Sequence, residues 1–465
     1  MAELSTRSWW FLILSHPEST MEGMETAGGV ADTVQEFLSF LESVSPAGSE
    51  ATNIDILQQL EQAKRALAAV QAEVTNAFVQ QRQAAEAADR IPTSEQLKGI
   101  EAEVGLARGE SAFVGAALTH TATALCTVLP NTLAALAAGR VSEYHARIVA
   151  EQTNHLSEAH RRAIDAAIAH RLGKASSSQL RTLIQGHAYR LDRKAAEQRA
   201  AQNKRGRCVR LDPLGEGMVA VHAQLPTHQG LAVMDALKQR TNQRLAAQRR
   251  RNREAGTPDE PTVGRDQVMA DVFVETLTGQ TTATGVDAEV IVVVDDTTLF
   301  GDGDTPGWIP GHGPLPAGTV KEWLADPDAK TFIRRMYTRP TDGQLVALES
   351  TRRRFPDGLA NMLRLRDDSC ATPWCNSPMQ EADHRRSWAH GGPTSWANGT
   401  GLCTRCNQRK ENRGWTYTGT PDQLVVTTPT GHRYTVGTKP PISQLRHTGS
   451  DPPNVVIDIA WRTAA

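Results

Sequence analysis

From Ile54 onward, Leu60, Ala63, Leu67, Val70, Val74 and Ala77 recur at alternating steps of three and four residues. That spacing places them on one stripe of a long helix. The stripe reads first as the core face of a helical body, with the seam of a homodimer as the alternative. Ala-rich helical patterns follow at about 95–125, 129–138, 142–153, 157–171 and 177–202, with "LPNT" and "AAGR" as breaks between some of them. Around residue 207 the period shortens, and "RCVRLD", the turn "PLGEG" and "MVAVHAQL" predict a β-hairpin. Helix returns in "LPTHQGLAVMDALKQRTNQRLAAQRRRNR", and "EAGTPDEPTVG" has the composition of an exposed loop. A helix near 265–278 and the apolar strand "AEVIVVVD" complete a small mixed element docked on the helices. The Gly- and Pro-rich stretch Gly301 to Gly318 reads as loop before a helix near 319–326. Residues 1–50 lack sustained periodicity, which predicts a flexible arm with one short helix near "VQEFLSFLESV".

The chain has 465 residues, more than one core usually holds, so two folding units with linkers are expected. Hydrophobic residues at 39% and charged residues at 22% are ordinary globular values. The apolar block "WWFLIL", Trp9 to Leu14, is too short to cross a bilayer or to form a signal-peptide core. A cytoplasmic protein with no membrane partner is the expectation, and Met21 and Met24 are alternative starts. "GHGPLPAG" lacks the Lys-Ser/Thr of a phosphate loop, and Arg249, Arg250 and Arg251 read as a solvated helix end. The net charge of -2 excludes a uniformly basic nucleic-acid binder but not a local patch. Such a patch exists: from Arg352 to Arg413 eleven Arg or Lys stand against six Asp or Glu, a net of +5. That concentration suits a polyanionic partner.

The unusual residues lie in the same region. Cys370 and Cys375 flank "ATPW", and Cys403 and Cys406 flank "TR", so two knuckles with short spacers can close a four-sulfur site. Thiolates are soft ligands and four of them leave no open position, so the expected metal is a structural Zn²⁺. Cys126 and Cys208 stand alone and are assigned no role. Between the knuckles, Asp383 is a hard oxygen ligand and His384 a base near neutral pH. Gly391 and Gly392 permit a sharp turn, and Asn398 can pin a neighbouring backbone segment. Asn407 offers a carbonyl oxygen, and Lys410, one helical turn on, can meet a phosphate, as can Arg385.

The pattern C-x4-C…ADH…HGG-T…N-x4-C-x2-C-N-x2-K resembles the HNH endonuclease motif, in a variant with Asn in place of the last His. From about 50 to 415 the chain also resembles a large actinobacterial family in which a helical domain of unknown function precedes a C-terminal HNH module. "LPNT", "AAGRVSEYHARIVAEQT", "DQVMADVFVETLTG", "RMYTRPTDGQLVAL" and "LRLRDDSCATPWC" are the supporting stretches. The resemblance implies an α+β chain: an arm at 1–50, a mainly helical domain with a small β element at 51–345, a zinc-stabilised ββα-metal nuclease domain at 352–418 and a C-terminal extension at 419–465. It implies His384 as general base, Asn398 as the residue orienting its loop, and Asp383 and Asn407 as ligands of one Mg²⁺ or Mn²⁺. Adjacent strand residues point to opposite sides, so Asp383 and His384 suit the two sides of a scissile phosphate of DNA. The rival reading is a zinc-built DNA-binding domain whose nuclease site is degenerate; nothing upstream reads as a helix-turn-helix.

Overall fold

The computed structural model describes residues 27–46, 48–256, 263–280, 288–325, 329–335, 349–350, 353–437 and 454–461. The apolar block at 9–14, the alternative starts, residues 257–262 of the Pro-rich loop, and nearly all of "RMYTRPTDGQLVAL" lie outside them. The first half is helical: α1 (Ala27–Glu42), α2 (Glu50–Ala88), α3 (Ile100–Ala107), α4 (Ala112–Val128), α5 (Pro130–Ala137), α6 (Glu143–Thr153), α7 (Glu158–Ile168), α8 (Ser177–Leu191) and α9 (Arg193–Arg205). Helices α2, α4, α6, α7 and α8 each begin on a serine, Ser49, Ser111, Ser142, Ser157 and Ser176, whose side chain accepts the backbone N–H three residues on. These caps explain why some patterns are cut shorter than their hydrophobic period suggests. The stretch 95–125 breaks where Ser111 starts a new helix, and 177–202 breaks at Asp192, which caps α9 through Ala195 N.

The core of this body is built by Leu125, Leu129, Leu136, Ile148, Ile164, Ile168, Leu180 and Ile184, all essentially solvent-free. "LPNT" forms the start of α5, and the buried Asp165 of α7 serves as its external cap, accepting from Asn131 N at 2.7 Å and Thr132 N at 3.0 Å. The long predicted helix exists as α2, but it is turned the other way. Its packed face consists of Ala68, Ala69, Ala72 and Val79, while Leu67, Val70 and Val74 are 45%, 53% and 64% exposed. The core-face reading of that stripe is therefore corrected: neighbouring α4 and α5 approach so closely that the small-residue side fits and the Leu/Val side does not.

A hairpin of β1 (Cys208–Gly215) and β2 (Met218–Gln224) follows, turning through Glu216 and Gly217 at positive φ. Helices α10 (Thr227–Ala255) and α11 (Arg265–Thr278) then pair around Leu237, Val268 and Val272. The next elements are β3 (Ala288–Asp295), α12 (Asp296–Phe300), β4 (Gly307–Ile309), β5 (Gly313–Leu315), α13 (Ala317–Ala325), β6 (Ala329–Arg335) and β7 (Glu349–Ser350). Two of these strands, β4 and β5, fall inside the stretch expected to be loop, because its Gly and Pro residues punctuate strands only three residues long. Then come α14 (Asp357–Asp367), β8 (Glu381–His384), β9 (Thr394–Ser395), β10 (Gly399–Leu402), α15 (Thr404–Lys410), a meander of β11 (Thr416–Thr420), β12 (Gln423–Thr427) and β13 (Arg433–Gly437), and β14 (Asn454–Trp461). The last strand returns to the earlier part of the chain. It lies between β3 and β6 in a five-stranded sheet, antiparallel to both, with Ile457 opposite Val292 on one side and Ile333 on the other.

The architecture is thus a mostly helical first half with small sheets, and a cysteine-bearing module locked against it. Ala102 and Leu106 of α3 share one core with the four cysteines, Trp415, Tyr417, Leu424 and Val426. Thr430 Oγ1 donates to Glu103 Oε2 at 2.9 Å, and Asp368 accepts from Trp308 Nε1 at 2.9 Å and Gly311 N at 2.7 Å. Among the described residues no single helix is long and apolar enough to cross a membrane.

Candidate active site

Strands β8 and β10 pair antiparallel, with His384 opposite Gly399 and Glu381 opposite Leu402, and α15 follows at once. Alternation along β8 sorts its side chains. Ala382 and His384 face the core of Phe355, Leu359, Leu363, Met379 and Trp396, whereas Glu381 and Asp383 face α15. Residues three apart on α15 meet residues two apart on β8: Asn407 Nδ2 donates to Glu381 Oε2 at 2.6 Å, and Lys410 Nζ to Asp383 Oδ2.

The His384 ring sits between Phe355, 4.7 Å away centroid to centroid, and Trp388, 5.8 Å away. Its Nε2 lies 2.8 Å from Thr394 Oγ1. The Thr394 hydroxyl has one proton and donates it to Arg353 O at 3.3 Å, so it accepts from Nε2–H. Nδ1 is therefore the nitrogen with the free lone pair, and it points toward Asp383 Oδ1 at 3.4 Å. Burial lowers the His384 pKa below the usual histidine value; Asp383 opposes the shift, and the Lys410 and Arg353 charges add to it.

Asn398 closes the loop that carries this ring. Its Oδ1 accepts Arg386 N at 2.9 Å, and its Nδ2 donates to Pro393 O at 2.9 Å and Arg386 O at 3.0 Å. A Cβ at Gly392 would stand 1.9 Å from Arg386 O, so only glycine allows the two limbs of the loop to meet. Behind it, the buried Arg366 forks onto Asp367 at 2.6 and 2.8 Å and reaches Gly399 O at 2.9 Å, while Asp367 accepts Gly401 N at 2.6 Å. That pair fixes β10 to α14.

The two expected phosphate contacts are turned inward. Arg385 is buried with its guanidinium on Thr420 O, and burial, with the Arg366 charge beside it, pulls its pKa down to about 10. Lys410 is buried as well, its ammonium on Asp383 and, at 2.6 Å, on His384 O. Exposed cations near the ring are instead Arg353, Arg354 and Arg386. Reading the sequence also missed Glu381 and Thr394. The strand period alone puts Glu381 beside Asp383; nothing local marks Thr394, which reaches His384 only through the fold.

Asn407 bears on whether the site suits a hard cation. Because Glu381 claims its amide nitrogen, the amide oxygen is fixed on the other side, and that Oδ1 is buried without a hydrogen-bond partner. A bare buried carbonyl oxygen is costly unless something positive meets it. That oxygen and the half-buried Asp383 carboxylate, whose Oδ2 carries Lys410, are hard oxygen donors of the kind Mg²⁺ or Mn²⁺ takes.

The four sulfurs of Cys370, Cys375, Cys403 and Cys406 are buried and lie within 4.8 Å of one another. Cys375 Sγ is 3.9 Å from Cys403 Sγ and 3.7 Å from Cys406 Sγ. Four sulfurs about 2.3 Å from a tetrahedral zinc are about 3.8 Å apart, so the cluster is compatible with a zinc site. Cys403 caps α15 through Cys406 N, and Arg409 NH1 approaches Cys406 Sγ at 3.7 Å, placing a buried cation beside a cluster that becomes anionic when it binds metal.

Two family models match the chain. One, a domain of unknown function named DUF222, covers residues 54–367, and the other, HNH endonuclease, covers residues 369–413. The searches of curated proteins and of solved structures return no match.

Proposed function

We propose that this chain, which belongs to the DUF222 family and continues into an HNH endonuclease domain, hydrolyses phosphodiester bonds of DNA with His384 as the general base. An HNH domain belongs to a nuclease family and implies a nucleic-acid substrate. The observation that carries the proposal is the bare Asn407 Oδ1, oriented by Glu381 on the strand that also carries Asp383, with His384 Nδ1 on the Asp383 carboxylate. A degenerate site would have no need to keep an amide oriented by Glu381.

In this reading His384 Nδ1 takes a proton from water, and the resulting hydroxide oxygen bonds to phosphorus as the bond to the 3′ oxygen breaks. The departing 3′ oxygen takes up a proton from solvent, and the imidazolium gives its own proton back to solvent. Asp383 and Asn407 would hold one Mg²⁺ or Mn²⁺, whose charge stabilises the departing 3′ oxygen. Thr394 fixes the tautomer, Asn398 fixes the loop, and Glu381 orients Asn407. Arg353, Arg354 and Arg386 are the side chains free to meet the flanking phosphates. The cytoplasm is the compartment this reading assumes.

The test is nicking or linearisation of supercoiled plasmid with Mg²⁺, with Mn²⁺ and with neither. Cleavage that needs either ion is expected, and withholding both ions should abolish it while leaving the zinc module folded. Binding without cleavage under every metal would favour the rival DNA-binding module.

A second reading is favoured by the outward stripe of α2. We propose that it joins two copies of the chain, because Leu67, Val70 and Val74 are exposed at coiled-coil spacing. Light scattering of the full chain should give a dimer mass that falls to the monomer in Leu67→Lys/Val74→Lys. A monomeric parent protein would end this reading.

A further inference from the structure

From Glu158 to Arg210 the chain holds thirteen Arg or Lys against four Asp or Glu, a net of +9 in a protein whose total is -2. This density exceeds that of the nuclease module and lies wholly within the helical half, on α7, α8, α9 and the start of β1. Part of it is structural. Arg199 is half-buried and donates to Gln152 O at 2.8 Å and to Glu151 O at 3.2 Å, and Arg162 and Arg193 pair with Glu158 and Glu197. The remaining cations form an uncompensated set.

Ten of the thirteen cations are exposed. Of those ten, among the described residues, only Arg162 and Arg193 have a carboxylate partner. Arg171, Lys174, Lys194, Lys204, Arg205 and Arg207 have none and remain available. Helix α9 is the informative element. None of its thirteen residues is fully buried, and it touches the core through Ala195, so most of its surface faces solvent. Solvating a helix needs charge of either sign in mixture, not one sign alone. Complementing the helix dipole accounts for Lys204 and Arg205 in the last turn, but not for Lys194 in the first or for Arg171, Lys174 and Arg207 outside the helix. A helix of this length extends about 20 Å. Along a DNA duplex that distance passes roughly six phosphates of one strand.

We propose that α8, α9 and the segment leading into β1 form a duplex-DNA backbone surface, separate from the nuclease site, through which the DUF222 half holds the DNA that the HNH module cuts. The proposal rests on the DNA reading above and extends it to a surface to which the catalytic residues contribute nothing: among the described residues no hydrogen bond or ion pair links α8 or α9 to residues 353–437. Contacts of this kind carry no sequence information. They hold the protein on the duplex and make its affinity fall with salt.

The experiment is fluorescence anisotropy of a short labelled duplex titrated with the full, zinc-loaded chain with Mg²⁺ and Mn²⁺ withheld, over a series of salt concentrations. The parent is compared with Lys194→Gln/Arg207→Gln and with the control Lys64→Gln/Lys98→Gln, which removes equal charge from α2 and the segment before α3. All four side chains are exposed and glutamine keeps helix propensity, so thermal melts should coincide. The expected result is weaker binding by the first variant alone, with the slope of log affinity against log salt shallower by about 0.9 for each phosphate that the variant no longer neutralises. Equal weakening of both variants would make net charge the cause, and coincident curves would make the surface a merely solvated face; either overturns the proposal. Because binding is read without cleavage, a chain that binds through this surface but never cuts would sink the nuclease reading and leave this one standing.

Discussion

His384→Ala should lower metal-dependent plasmid cleavage by roughly two to four orders of magnitude, the range a positioned general base contributes. Zinc content should stay unchanged, since His384 is not one of the clustered cysteine ligands. Removing a ring packed between Phe355 and Trp388 also leaves a cavity, so a gentler variant is needed. Thr394→Val keeps the shape of the residue and deletes only the hydroxyl that accepts Nε2–H. It should reduce cleavage less than His384→Ala, with a melt lowered only by the buried Nε2–H left without its partner, about 1–3 kcal/mol. Full activity in His384→Ala would remove His384 from the mechanism.

The pH profile gives an independent reading. A base acts only when neutral, and burial lowers the His384 pKa, so the acid limb of the cleavage rate should lie below 6.5, the ordinary histidine value. The stability sign follows from the same shift. The unfolded chain binds the proton first, so the contribution of neutral His384 is complete above 6.5 and is lost as pH falls through that value toward the lower folded one.

What the sequence discloses here depends on how local the cause is. The HNH motif is legible as a resemblance because Asp383, His384, Asn407 and Lys410 stand within 28 residues of one another. The four cysteines are legible for the same reason. The direction in which a cation points is not local: Arg385 and Lys410 have the composition of phosphate contacts, but Thr420 O and the Asp383 carboxylate take them inward. The α2 stripe shows the limit of hydrophobic periodicity. An amphipathic pattern says that a face must be covered, but alanine on the opposite side packs closely enough to be the intramolecular face, which leaves the larger residues outward. Strand β14 is hidden altogether, since its partners β3 and β6 lie more than a hundred residues earlier.

Loss of the zinc should have the largest effect on stability. The purified chain should carry one zinc, and Cys406→Ser should lose it together with the fold of residues 353–437. Structural zinc binding is worth about 10–16 kcal/mol in small finger peptides, whereas a whole domain is stable by only about 5–15 kcal/mol. The module has little else to replace it, because the cysteines lie at the centre of the core that Trp415, Tyr417, Leu424 and Val426 share with Ala102 and Leu106. The first knuckle adds a cost of its own: Trp374, between Cys370 and Cys375, is held at φ +57, a conformation that bulky side chains adopt only when their surroundings impose it. Zinc closing the two knuckles is such a constraint. The helical core around Leu125, Ile148, Ile164 and Ile184 contains none of these cysteines and should keep its far-UV signal, so the loss should appear as two separated transitions and early proteolysis beyond residue 353. A Cys406→Ser chain that still bound one zinc and melted with the parent would show that the cysteines pack as ordinary thiols. Because α3 contributes to both halves, the expected loss also undocks the nuclease module from the DUF222 body, and plasmid cleavage should disappear even though His384, Asp383 and Asn407 are untouched.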